Sequence, residues 1–120
     1  MPIARTKLAV LISREEGFFT SGTLPNRNHN PGDLRHSPHS EHPGDPNAIG
    51  VIDSDADGWS DLERQLQLDA ARGMTLQQAI YSWAPPTENN TVQYLADVLN
   101  GFGGIVDSST PLSQVLEIPA

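Results

Sequence analysis

Glu15 and Glu16 stand at the end of an apolar stretch, directly before Gly17-Phe18-Phe19. Leu8, Leu11 and Ile12 recur at helical spacing, which predicts a helix from about Ile3 to Glu15. Pro2 suits its first turn and Gly17 its left-handed stop. A carboxyl group at that end lies beside unpaired carbonyls, the negative end of the helix dipole, which disfavours ionisation. Flanking rings add desolvation in the same direction. A carboxyl group so held stays protonated near neutral pH and can donate its proton, as cleavage of a glycosidic bond requires. The plainer alternative is two solvated charges before a glycine, the usual state of surface glutamates.

Asn26-Arg27-Asn28-His29-Asn30-Pro31-Gly32-Asp33-Leu34-Arg35 is dense in amide donors and acceptors. Such groups read sugar hydroxyls and acetamido groups, and Asn-Pro-Gly also sets a tight turn with no ligand in mind. Tyr81, Trp83 and Tyr94 offer faces for stacking on sugar rings, though aromatics at helical spacing equally build a core. A buried Tyr94 hydroxyl would need a partner.

Two stretches resemble metal ligand sets. His29, His36, His39 and His42 fall in one segment, with spacings of three that suit zinc. The intervening prolines and the absence of Cys favour an exposed polar loop instead. Asp53, Asp55, Asp57 and Asp61, with Gly58 between them, match the opening of a calcium loop, but Arg64 stands where the bidentate acid belongs. An acidic turn favouring the next helix start explains them as well. No metal or cofactor is therefore expected, with calcium at Asp53 to Asp61 the weak exception.

The elements that must position these groups are mostly helical. Ser60-x-x-Glu63 reads as a capping box opening a helix to about Ala71, which Gly73 ends. Thr75-x-x-Gln78 opens another, stopped by Pro85-Pro86. Asn90-x-x-Gln93 opens a third, with Val92, Leu95, Val98 and Leu99 facing inward and a flexible joint from Gly101 to Gly104. Thr110-Pro111 starts a last short helix. Thr20 to Asn47 is rich in Gly and Pro and reads as irregular chain, with short strands at Asp33 to Ser37 and Ala48 to Ile52 that pair as a hairpin. The expected fold is mainly α: a helical lobe with a small loop-rich lobe carrying a short β-hairpin. One domain spans the chain, its core from Ile3 to Phe102, with a short helix and tail over 103–120.

The bulk numbers bound the partners. With 120 residues the chain holds one core and not two. A net charge of −8 excludes attraction to nucleic acid or anionic membranes, so a bound polymer is gripped by hydrogen bonds and stacking. No apolar run approaches membrane-spanning length, which argues against membrane insertion. Arg5 and Lys7 before Leu8 to Ile12 do not make a signal peptide, because the apolar run is too short and no cleavage site follows. A monomer is expected.

Three elements occur in order: Glu16-Gly17-Phe18, then Asn28 to Arg35, then Ser82-Trp83-Ala84-Pro85-Pro86-Thr87-Glu88-Asn89-Asn90-Thr91 with Tyr94. Together they resemble the lysozyme-fold cell-wall glycosidases of the phage and bacterial lytic transglycosylase type. The likeness runs from Leu8 to about Asn100 and includes a helix entry from Asp57 to Gln65. His29 and Asp33 depart from the pattern, which carries Asn at both places. The resemblance implies a lysozyme-like α+β domain that cleaves the MurNAc–GlcNAc β-1,4 bond of peptidoglycan in the cell wall, outside the cytoplasm or on a virion. It implies Glu16 as general acid and then base, with Tyr94 near it. It also implies Asn28, Asn30, Asp33, Arg35 and Trp83 as glycan contacts. Asp33, Asp45, Asp53 and Asp55 are possible second carboxylates, but the sequence places none of them beside Glu16, which favours a lytic transglycosylase over a hydrolytic muramidase. A module that keeps the fold and binds glycan without turnover is the non-enzymatic alternative.

Overall fold

The computed structural model describes residues 5–34, 38–39 and 50–120, and six helices carry the chain among them. The first, α1 (Lys7–Glu15), begins at a threonine cap. The Thr6 hydroxyl accepts from the Ala9 N–H at 3.1 Å, satisfying one of the donors a helix start leaves over. The helix therefore starts later than the apolar spacing predicts, and Arg5 stays outside it. The cause is a distant contact. Thr6 donates through both its amide (3.2 Å) and its hydroxyl (2.8 Å) to Glu63 Oε1, which holds it in extended backbone.

That contact also corrects the expected capping box at Ser60 and Glu63. The third helix, α3 (Asp55–Ala71), opens six residues earlier with Ser54 as its cap. Glu63 lies in its interior, 5 % exposed, committed to Thr6. Asp55 and Asp57 fall in the first turn, where negative charge favours the helix dipole. The calcium-loop reading fails for the same reason: Asp55, Asp57 and Asp61 ride on helix, which cannot wrap an ion as a loop does.

Between them lies a helix the composition hides, α2 (Leu24–Arg27), with Thr23 accepting from the Asn26 N–H and Pro25 in the first turn. The expected hairpin falls largely on residues 35–37 and 40–49, outside the described residues. Its described ends meet through the Gly50 N–H, which donates to the Leu34 carbonyl at 2.8 Å.

Helix α4 (Leu76–Trp83) opens with the capping box expected of Thr75 and Gln78. Helix α5 (Thr91–Phe102) is capped by Asn90 as expected, but it runs through Gly101 and ends at Gly103, whose φ is 64°. The joint expected at Gly101 is instead a packing contact: a Cβ there would overlap the Leu11 side chain of α1. Of the expected inward stripe, Val98 is buried and Leu95 and Leu99 pack against the core, but Val92 is 70 % exposed, and Tyr94 and Phe102 join the buried face instead.

Helix α6 (Leu112–Val115) brings Leu112, Val115 and Leu116 into the same core as Leu8, Ile12, Leu62, Leu66 and Ile80, so the core extends past Phe102 into the expected tail. Each such side chain contributes roughly 1.5–3 kcal/mol when fully buried. Backbone bridges tie the last segment down: Thr6 with Pro119, and Thr75 with Pro111. The fold is mainly helical, with α1 wedged against α3 and α5. No described helix is long and apolar enough to cross a membrane.

Candidate active site

Glu16 is the C-cap residue of α1, its N–H donating to the Ile12 carbonyl at 2.9 Å. Gly17 follows with φ 85°, a left-handed turn that glycine adopts without Cβ strain. The turn sends Phe18 into the core, edge-on to Trp59 at 5.5 Å, and leaves Phe19 56 % exposed. Glu16 itself points toward α5, where the Tyr94 hydroxyl donates to its Oε2 at 2.7 Å.

Burial pushes the Glu16 carboxyl up to about 7, and the nearby Asp33 and Glu15 charges act in the same direction. The Tyr94 bond works the other way, because it favours the carboxylate. Burial and the Glu16 charge raise the Tyr94 phenol, so it stays a donor throughout the ordinary pH range. Glu15 is the rival acid. Burial and then Asp97, by charge and by hydrogen bond, raise it as well. It does not, however, line the cleft onto which Glu16 opens.

That cleft has a volume of about 530 Å³, within the range of small-ligand sites. Four segments wall it besides Glu16: the turn Gly32 to Leu34, the α3 pair Gln65 and Asp69, the α4 end at Ser82 and Trp83, and the loop carrying Pro85, Glu88 and Asn89. Close packing fixes the walls. A Cβ on Gly32 would come within 2.9 Å of the Trp83 ring, and one on Gly58 would overlap the His29 carbonyl oxygen.

The structure sorts the expected contacts. Glu16, Asp33 and Trp83 line the cleft. Trp83 serves both readings, since it also packs against the core. Tyr94 is 7 % exposed and reaches the site through Glu16. Asn30 is fully buried and cannot touch a ligand. Its amide donates to the Leu34 (2.8 Å) and Gly50 (2.9 Å) carbonyls and accepts from the Leu34 N–H (2.9 Å), clamping the cleft wall. Asn28 caps the end of α2 and takes the Ile52 N–H on its carbonyl, away from the cleft lining. Arg35 lies outside the described residues. His29 and Asp33 both have left-handed backbone, φ 52° and 50°, where Asn, Asp and His are the tolerated side chains. Backbone conformation thus accounts for the residue types at these two places.

His29 bonds Asp55 at 2.7 Å and His39 bonds Asp61 at 2.5 Å, so these rings fasten the irregular segment to α3. The Asp61 bond raises the His39 imidazole. His36 and His42 fall outside the described residues. Among the described residues no group of three or more His, Asp or Glu side chains is placed to hold a metal ion.

The residues that sequence reasoning missed are Gln65, Asp69, Ser82, Glu88 and Asn89. Four of them sit inside the matched elements without being singled out. Asp69 has no sequence signal, because an acid near the end of a helix reads as solvated surface. Comparison with known proteins adds no relative: no family model, no curated protein and no solved structure matches the chain.

Proposed function

We propose that this chain cleaves the MurNAc–GlcNAc β-1,4 bond of peptidoglycan as a lytic transglycosylase, with Glu16 as its acid and base. One observation carries the reading: a half-buried carboxyl, held by Tyr94, opens onto a cleft and keeps its proton up to about pH 7. In the first step the Glu16 carboxyl gives its proton to the glycosidic oxygen as the C–O bond breaks. The Tyr94 hydroxyl then stabilises the carboxylate so formed. In the second step that carboxylate takes the proton of the muramic 6-hydroxyl as its oxygen bonds to C1. The product is a 1,6-anhydro sugar and the acid is restored. No water enters, and one acid/base suffices. Trp83 supplies an aromatic surface and Ser82 and Asn89 supply hydrogen bonds, in keeping with a ligand not gripped by positive charge.

A hydrolytic muramidase is the second reading. It is favoured by the further carboxyl groups on the cleft wall, Asp33, Asp69 and Glu88, any of which would supply the second acid that hydrolysis uses. Digestion of purified sacculi followed by mass spectrometry of the fragments separates the two. Anhydro ends are expected; reducing ends would assign hydrolysis. Absence of any fragment from wild-type protein, or equal release by a folded Glu16→Gln variant, would remove the enzymatic reading.

A further inference from the structure

Asp69 lines the cleft and has no task in the transglycosylase reaction, although it is buried to 3 % exposure. It lies one helical turn after Gln65 on α3, and the Gln65 amide donates to its Oδ1 at 3.1 Å. Arg72, at the end of the same helix, reaches the same oxygen at 3.5 Å. Both bonds go to Oδ1. The second oxygen, Oδ2, takes neither bond, and Asp69 lines the cleft.

We propose that Asp69 is a substrate-binding residue, its Oδ2 accepting a hydrogen bond from a hydroxyl or acetamido N–H of a sugar ring, with Gln65 holding the carboxyl in position. This rests on the reading of the cleft as a glycan site. The chemistry follows from the arrangement. A carboxylate oxygen can only accept, so its partner must be a donor, and sugars present donors of both kinds. A nearly buried carboxylate already tied at one oxygen loses little freedom on binding, so the bond forms at low entropic cost. Burial raises this carboxyl from its ordinary range while Gln65 and Arg72 act to lower it. The same two partners thus orient the group and favour its accepting form.

The test uses tetra-N-acetylchitotetraose and calorimetric titration on the full chain, in a Glu16→Gln background so that nothing turns over. Asp69→Ala is expected to weaken binding roughly tenfold or more, as loss of a hydrogen bond to a charged acceptor does. Asp69→Asn keeps the shape and a neutral acceptor, and a smaller loss is expected. Gln65→Ala leaves the carboxylate but frees it, and a severalfold loss is expected with an unchanged Tm. Should Asp69→Ala fail to fold, Asp69→Asn and Gln65→Ala decide the matter. Unchanged affinity in both, with the Glu16→Gln parent binding normally, overturns the role of Asp69 alone. A parent that does not bind the oligosaccharide overturns the glycan reading and this inference with it.

Discussion

The Tyr94 hydroxyl donates to Glu16 Oε2 at 2.7 Å across 78 residues of chain, joining α5 to the last turn of α1. The bond fixes the carboxyl against the cleft and opposes, without cancelling, the effect of burial on its proton. Replacing Tyr94 by Phe removes the donor and keeps the ring. The carboxylate then loses its stabilising partner, so the Glu16 pKa is expected to rise further. A pH–rate profile on cell-wall substrate should show the alkaline limb of Tyr94→Phe at higher pH than wild type. A limb in the same place would mean that the bond does not act on the proton.

Glu16 should govern stability as well as rate. Its folded value of about 7 lies above the ordinary 4.5, so the folded protein holds an extra proton between them. The contribution of this group to stability is full below 4.5 and is lost as pH rises through about 7. Glu16→Gln carries no charge to bury. Thermal melts should show this variant gaining on wild type as pH goes from 5 to 8, while its lytic rate falls by about 10²–10⁴-fold. A Tm gap that does not change with pH would contradict the burial argument.

Asn30→Ala should act on the fold and not directly on ligand binding. The substitution leaves the Leu34 and Gly50 carbonyls and the Leu34 N–H without their buried partner. A loss of at least about 2 kcal/mol is expected, with a Tm drop on the order of 10 °C. Chemical denaturation with and without glycan checks this. A stable variant with weakened sugar affinity would return Asn30 to the ligand.

Gly58→Ala tests the seam between α3 and the turn before Pro31. The added methyl would meet the His29 carbonyl oxygen, which is backbone and cannot swing aside. Destabilisation of about 1–3 kcal/mol is expected from such overpacking. Denaturant titration reads it, and a neutral outcome would show that the turn yields.

What the sequence disclosed follows from the range of each interaction. The α4 start was legible because Thr75 and Gln78 satisfy one another three residues apart. The same pattern at Ser60 and Glu63 misled, because Glu63 bonds Thr6, 57 residues away, and no local rule sees that. The amide-rich turn read as sugar-binding, yet Asn30 serves the backbone and His29 and Asp33 occupy left-handed positions. Glu16 was legible because a carboxyl at a helix end before Gly17 is a local statement. Asp69 was not, since its burial comes from elements that meet only after folding.

Thr6 has a consequence for the distant end of its helix. It fastens the start of α1 to the middle of α3, and from Thr6 to Glu16 the rod spans about 15 Å at 1.5 Å per residue. Glu16 sits at the other end of that lever, where Tyr94 holds it. A tilt introduced at Thr6, where nothing touches the cleft, would therefore load the Tyr94–Glu16 bond from a distance.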